Sequence, residues 1–404
     1  MKKFSKLVSV AVASAMVMAM MTGCGSDNSK GNSADKGGAS DANSGAAAFK
    51  IGGIGPTTGG AAIYGTNVQN AAQIAVDEIN AAGGVNGYML ELNFQDDEHD
   101  PEKAVNAYNV LKDWGAQMIM GAVTSTPCIA VAEKTKEDNM FQITPSGTAV
   151  ECVQYDNCFR VCFSDPNQGE ASAKYIADNK LATNIAIIYD SSDVYSSGIM
   201  ESFVGGAATY NLNVVAKEAF TADSKTDFSV QLQKAKDAGA DMVFLPIYYQ
   251  ESSLILTQAN AMGYAPSFFS CDGMDGILGV DNFDTKLAEG VMLLTPFAAD
   301  AQDDLTVNFV TQYKDKFNDT PNQFAADAYD AIYIIKAAIE KSGVTPDMSA
   351  SDICDKMKAA MLEVNVEGLT TVGTGAGMTW GADGEVNKEP KAVKIVNGAY
   401  ASMD

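Results

Sequence analysis

The feature that most restricts this chain is an alternation of short apolar runs with longer amphipathic stretches, beginning at Phe49 and continuing almost to the last residue. Runs 51–54, 89–94, 118–121 and 140–143 are too short for helices, and a polar or Gly/Pro turn follows each, as after buried strands. Between the first two, Val68, Ala71, Ala72, Ala75 and Ile79 recur at helical spacing, and Gly83-Gly84 ends the segment as a cap would. The next helix opens on Asp100 as N-cap with Pro101 in the first turn, and carries Ala104, Val105, Tyr108 and Leu111 on one face. Strands joined through helices run parallel, so the fold class is α/β. After Arg160 a second series follows, with runs 185–189, 214–219, 242–245, 268–270 and 291–294. In it Asp227 is expected to cap a helix that buries Phe228, Leu232 and Ala235 and closes at Gly239. Helices over 304–317 and 322–341, a Gly-rich region and an apolar strand at 392–396 complete the chain.

A stretch of this length exceeds one ordinary core and predicts two lobes, each a mostly parallel sheet flanked by helices. By pattern alone the last elements could return to either lobe. The expected division is 49–164 with 296–389, and 165–295 with 390–404. The chain would cross near Ser164-Asp165, Thr295-Pro296 and Glu389-Pro390, turn-like breaks suited to a multi-strand hinge.

Ahead of the folded part, Lys2, Lys3 and Lys6 precede an apolar run from Leu7 that ends in Met21-Thr22-Gly23-Cys24. The run is short of the roughly 17 residues that span a bilayer, and a small residue directly before Cys is what lipoprotein processing accepts. Residues 1–23 therefore read as a lipoprotein signal, with Cys24 as the lipidated N-terminus of a protein anchored outside the cytoplasmic membrane. An ordinary cleaved signal is the alternative. Residues 25–48 contain only Gly, Ser, Asn, Asp, Lys and Ala, which bury no core; they make a flexible linker spanning about 25–30 Å.

The formal charge of −24 excludes nucleic acid as a partner. Arg160 is the only arginine and His99 the only histidine. His99 lies in Asp96-Asp97-Glu98-His99-Asp100, an acidic turn that reads as a helix-capping loop, so neither a hydrolytic triad nor a metal is expected. Gly52-Gly53-Ile54-Gly55 lacks the third glycine of a dinucleotide fingerprint and runs into Pro56, so no cofactor is expected.

Ligands of open parallel sheets sit beyond the carboxyl ends of the strands. There the first series offers Thr124-Ser125-Thr126-Pro127, a hydroxyl-bearing helix N-terminus suited to a carboxylate, and Thr144-Pro145-Ser146-Gly147-Thr148, with two hydroxyls and close backbone approach at Gly147. Either loop alone would do no more than cap a helix. The second series offers Tyr195, Tyr248 and Tyr249, and Cys271-Asp272-Gly273. An acid facing neutral donors describes a site for a zwitterion, although Asp272 taken alone could merely cap a turn.

These residues, with Gly55-Pro56-Thr57-Thr58-Gly59, Tyr64-Gly65, the segment Ala75-Val76-Asp77-Glu78-Ile79-Asn80-Ala81-Ala82-Gly83-Gly84-Val85-Asn86-Gly87 and Tyr329-Asp330-Ala331, resemble the branched-chain amino acid binding proteins of ABC transporters, of the type I periplasmic binding protein fold. The resemblance implies that Ser125 and Thr148, with backbone of the Ser146 loop, hold a ligand α-carboxylate, and that Asp272 takes the α-ammonium. It also implies that Tyr195 and Tyr248 close from the second lobe, and that Tyr64, Val123, Thr124 and Phe324 shape the side-chain pocket. The chain departs from leucine-binding members in having Asp where they have Glu, and in placing His99 and Thr124 where they have a disulfide. The function implied is capture of a small amino acid, with leucine, isoleucine or valine as default, and delivery to a permease by a monomer. A receptor feeding a sensor, or a binder of another amino acid or small amide, is the alternative. No catalysis is implied. Of the cysteines other than Cys24, Cys152 and Cys158 flank a polar loop and are the expected bridge; the alternative is that all remain thiols.

Overall fold

The computed structural model describes residues 47–372 and 374–403. The signal, Cys24 and most of the linker lie outside them. In chain order the elements are β1 (Phe49–Gly55), α1 (Ala62–Ala81), β2 (Leu90–Asp96), α2 (Pro101–Trp114), β3 (Met118–Met120), α3 (Ser125–Asp138), β4 (Phe141–Thr144) and β5 (Cys158–Arg160). Then come α4 (Asp165–Asp178), β6 (Asn184–Asp190), α5 (Val194–Thr209), β7 (Asn213–Phe220), α6 (Ser229–Asp237), β8 (Met242–Leu245), α7 (Tyr249–Ala261), β9 (Ser267–Ser270) and β10 (Met292–Thr295). The chain ends with α8 (Asp304–Phe317), α9 (Gln323–Ser342), α10 (Ala350–Met361), β11 (Lys391–Val396) and β12 (Ala399–Ser402).

Local chemistry explains these boundaries. Val68, Ala71, Ala72, Ala75 and Ile79 of α1 are all buried, and burial is worth about 1.5–3 kcal/mol for each of the two larger side chains. The helix stops where Gly84, at φ +77°, donates its N–H to Ile79 O; a Cβ there would stand 2.1 Å from Tyr88 O, so only glycine fits. Asp100 caps α2 by accepting from Glu102 N and Lys103 N. α6 starts one residue later than expected: Phe228 is its N-cap, and the Asp227 carboxylate accepts from Ser229 N.

The strands form two sheets, ordered β2-β1-β3-β4-β5 and β12-β11-β10-β9-β8-β6-β7. The first is entirely parallel. In the second, β7, β6, β8, β9 and β10 are parallel, while β11 and β12 add antiparallel strands beyond β10. The terminal strands therefore belong to the second sheet, whereas α8, α9 and α10 pack on α1 and β4 of the first. Both sheets share one order, with the strand that comes first in the chain second from the edge, so each has a switch point where successive connections leave to opposite sides: β1/β3 in one and β6/β8 in the other.

Candidate ligand-binding cleft

The loops that leave those two switch points face each other. From the first sheet come Tyr64 in the opening turn of α1, Val123 and Thr124 before α3, Ser125 at its first residue, Ser146 and Thr148 after β4, and Phe324 at the start of α9. From the second come Tyr195 at the start of α5, Tyr248 as N-cap of α7, and Asp272 after β9. All ten line one small cavity together with Gly273, with room for about one water molecule, about 10 Å³. Tyr195 and Tyr248 stack with centroids 4.8 Å apart, and Tyr64 packs on Phe324 at 4.2 Å. The aromatic rings thus occupy the space between the polar ends.

Two other candidates lie outside this cavity. Gly147 sits behind it, donating its N–H to Thr144 Oγ1 at 2.8 Å, while Cys162 Sγ and Arg160 donate to its carbonyl. Thr126 borders a larger outer cleft of about 340 Å³, lined by Glu98 and His99 on one side and by Asp190, Asp193, Lys225 and Glu251 on the other; Tyr248 borders both spaces.

At the acidic end, Tyr195 donates its hydroxyl proton to Asp272 Oδ1 at 2.7 Å and accepts from Gly273 N at 2.9 Å. Burial pushes the Asp272 carboxyl up to about 6, against the pull of the Tyr195 hydroxyl and the Gln168 amide. Gln168 Oε1 accepts from Asp272 N, and Gln323 Nε2 donates to Asp272 O, so both faces of the loop are pinned. The lobes touch directly: Tyr64 Oη donates to Gly273 O, and Ile63 N donates to Tyr249 Oη at 3.2 Å.

At the hydroxyl end, Ser125 Oγ accepts from Ala149 N at 3.2 Å and Ser146 Oγ donates to Val123 O at 2.7 Å. The Thr148 hydroxyl is buried without a hydrogen-bond partner. The buried Arg160 guanidinium donates to the carbonyls of Gly147, Thr148 and Ala149, holding the loop from below. Ser125 is the first residue of a fourteen-residue helix, so free backbone N–H groups and the positive end of the helix dipole point here. His99 Nδ1 and Thr124 Oγ1 stand 2.8 Å apart, a hydrogen bond where leucine-binding relatives were expected to carry a disulfide; burial pushes the imidazole down to about 4 and keeps it neutral.

The expected Cys152–Cys158 bridge is not present. Both are free, buried thiols. The 3-10 turn Val150–Val153 directs Cys152 at Cys128 and at Ser125 O, whereas Cys158 opens β5 with Sγ against Gln142 Oε1 and Thr135.

Reasoning from sequence missed Gln168, Gln323, Gly273 and the seating role of Arg160. The last had a signal, a lone arginine in a strongly acidic chain; the glutamines had none, because only the packing of α4 and α9 brings them to Asp272.

Two mostly parallel sheets whose facing loops enclose one polar-ended cleft define a two-lobed solute-binding fold. The chain belongs to the periplasmic binding protein family, whose model matches residues 48–399. This membership implies a location outside the cytoplasm; among the described residues no helix is long and apolar enough to cross a membrane. The chain is 30% identical to Leu/Ile/Val-binding protein homolog 3 of Brucella melitensis over 306 residues, 74% of this chain and 81% of the relative. It is 31% identical to the leucine-, isoleucine-, valine-, threonine- and alanine-binding protein of Pseudomonas aeruginosa, over 73% of this chain and 79% of that protein. Among solved structures, the branched-chain amino acid transporter substrate-binding protein LivJ of Streptococcus pneumoniae, in complex with isoleucine, superposes with a TM-score of 0.79 at 27% identity, covering 88% of this chain and 98% of that one. A Rhodopseudomonas palustris solute-binding protein in complex with benzoate shares the fold, with a TM-score of 0.77 at 16% identity and coverage of 88% and 95%.

Proposed function

We propose that this protein captures a small zwitterionic amino acid, by default leucine, isoleucine or valine, between its lobes and delivers it to an ABC transporter permease. In this reading Asp272 takes the ammonium, and Ser125, Thr148 and the backbone of the Ser146 loop take the carboxylate. Tyr64, Val123, Thr124, Phe324, Tyr195 and Tyr248 enclose the side chain. The observation that carries the reading is the opposition of a buried carboxylate to a hydroxyl-bearing helix N-terminus across an aromatic-walled space. The names and bound isoleucine of the relatives support the choice of ligand class. Residues 49–164 with 296–389 form one lobe and 165–295 with 390–404 the other, and the pairing of β11 with β10 supports the last assignment. Because the cavity has room for about one water molecule, the lobes part at the three crossings to admit a ligand. The protein is held at the membrane through lipidated Cys24 and acts as a monomer.

Calorimetric titration with L-leucine, L-leucinamide, 4-methylpentanoate and benzoate tests the ligand class. Leucine should bind, and the amide and the acid, each lacking one charge, should bind at least about tenfold more weakly, as should leucine to Asp272→Asn. Benzoate binding more tightly than leucine would transfer the site to aromatic acids, the ligand found with the benzoate-bound structural neighbour.

A further inference from the structure

Two buried polar atoms at the carboxylate end lack a hydrogen-bond partner. Thr148 is 1% exposed and Asp165, the first residue of α4 beyond the crossing, is 2% exposed. Thr148 Oγ1 and Asp165 Oδ1 are each buried without a hydrogen-bond partner, and the Thr148 hydroxyl is one of the groups that act on the Asp165 carboxyl. The two residues are already joined through the backbone, Asp165 N donating to Thr148 O at 2.9 Å. On its other side Asp165 lies against Gly198 of α5, where a Cβ would be 3.1 Å from Asp165 Oδ2.

A threonine hydroxyl has one proton to give. If the Asp165 carboxyl were ionised it would draw that proton away from the cleft, and a ligand carboxylate would meet the oxygen lone pairs with a second anion behind them. If the carboxyl holds its own proton, the order reverses: it donates to Thr148 Oγ1, and the Thr148 proton is free to point into the cleft. We infer that Asp165 is a positioning residue whose protonated carboxyl donates to Thr148 Oγ1 and so turns the Thr148 hydroxyl toward the ligand carboxylate. This inference rests on the zwitterion reading above and adds to it a group that does not line the cleft.

The surroundings favour the neutral form. Burial raises the Asp165 carboxyl well above its ordinary value, and Asp272 and Asp193, facing it from the loop after β9 and the cap of α5, raise it further. The Thr148 hydroxyl and the Arg160 guanidinium, facing it from the first lobe, oppose this. The guanidinium is engaged with four loop carbonyls and with Glu385 at 3.2 Å, so it is no dedicated partner for Asp165. In the parted lobes Asp165 meets water and ionises at neutral pH; closing on a ligand carboxylate then requires it to take up a proton.

The test is calorimetric titration of the purified protein with L-leucine at pH 7.5, in two buffers of different ionisation enthalpy, and across pH 6 to 8.5. Wild type should take up a fraction of one proton on binding, and its affinity should fall at least about threefold as the pH rises across that range. Asp165→Asn retains an amide donor for Thr148 and should lose both the uptake and the alkaline fall. Asp165→Ala should bind more weakly than Asp165→Asn at pH 6, and Thr148→Val should abolish the uptake even with Asp165 in place. Leucine binding without proton uptake, or with equal uptake by Asp165→Asn, overturns the role of Asp165 and leaves the zwitterion site standing. Absence of leucine binding by wild type at pH 6 overturns the site assignment and this inference with it. The wild-type measurement does not depend on how any variant folds.

Discussion

The chemistry of the cleft turns on a hydrogen-bond chain from Gly273 N–H through the Tyr195 hydroxyl to Asp272, in which each member sets the next. Removing the hydroxyl in Tyr195→Phe leaves the Asp272 oxygen and the Gly273 N–H short of a partner in a buried site, at a cost of about 1–3 kcal/mol. Because the hydroxyl holds the Asp272 carboxyl down against burial, its loss should raise that carboxyl above about 6. Ligand binding needs the ionised form, so affinity in wild type should fall as the pH drops through about 6, and in Tyr195→Phe the fall should begin at higher pH. Titration of both proteins with L-leucine between pH 5 and 7.5 checks this; coincident acid limbs would mean that another group governs the ammonium. Asp272 and Tyr195 were both legible in the sequence as polar residues after strands, but the bond between them was not, because nothing local relates residues 77 positions apart.

At the scale of the element, the decisive one is the short 3-10 turn Asp272–Met274, too brief to have a sequence period of its own. Its glycine is fixed by space rather than by backbone angle: a Cβ on Gly273 would stand 2.5 Å from Tyr195 Oη and 3.0 Å from Tyr248 Cδ1. Gly273→Ala should therefore push apart the stacked tyrosines and weaken L-leucine binding at least about tenfold, overpacking of this kind costing about 1–3 kcal/mol. Calorimetry decides it, and an affinity within twofold of wild type would show that the rings yield without cost. The longer elements were legible to the degree that they carry caps and periodic faces, as α1 and α2 do. The three-residue β5, the four-residue β12 and the whole of α10 escaped notice. β5, Cys-Phe-Arg, is broken by Arg160 and β12, Ala-Tyr-Ala-Ser, holds no aliphatic run, so neither stands out as a buried strand, and α10 was absorbed into the neighbouring Gly-rich stretch.

Across the whole molecule, several carboxyls are buried, and their protonation stabilises the fold. Burial holds Asp97 up to about 7 and Asp193, Asp272 and Asp275 up to about 6, all above the ordinary 3.8. A raised carboxyl contributes its stability fully below the unfolded value and loses it as the pH rises through the folded one. His99, pushed down to about 4, works the other way below 6.5. The ligand-free protein should therefore gain stability from pH 7.5 to 5, by about 2 to 5 °C in Tm. Scanning calorimetry at pH 7.5, 6 and 5 measures it, and a Tm that falls steadily over this interval would remove the argument.

Strand-helix alternation, helix caps and the polar residues after each strand were determined by the sequence alone, because each is a relation among residues a few positions apart. Folding decided the rest: the strand order that sets β1 beside β3 and β6 beside β8, the turn of Cys152 toward Cys128, and the meeting of Asp165 with Thr148. These depend on which surfaces are buried against which, and that follows from the packing of whole sheets and helices.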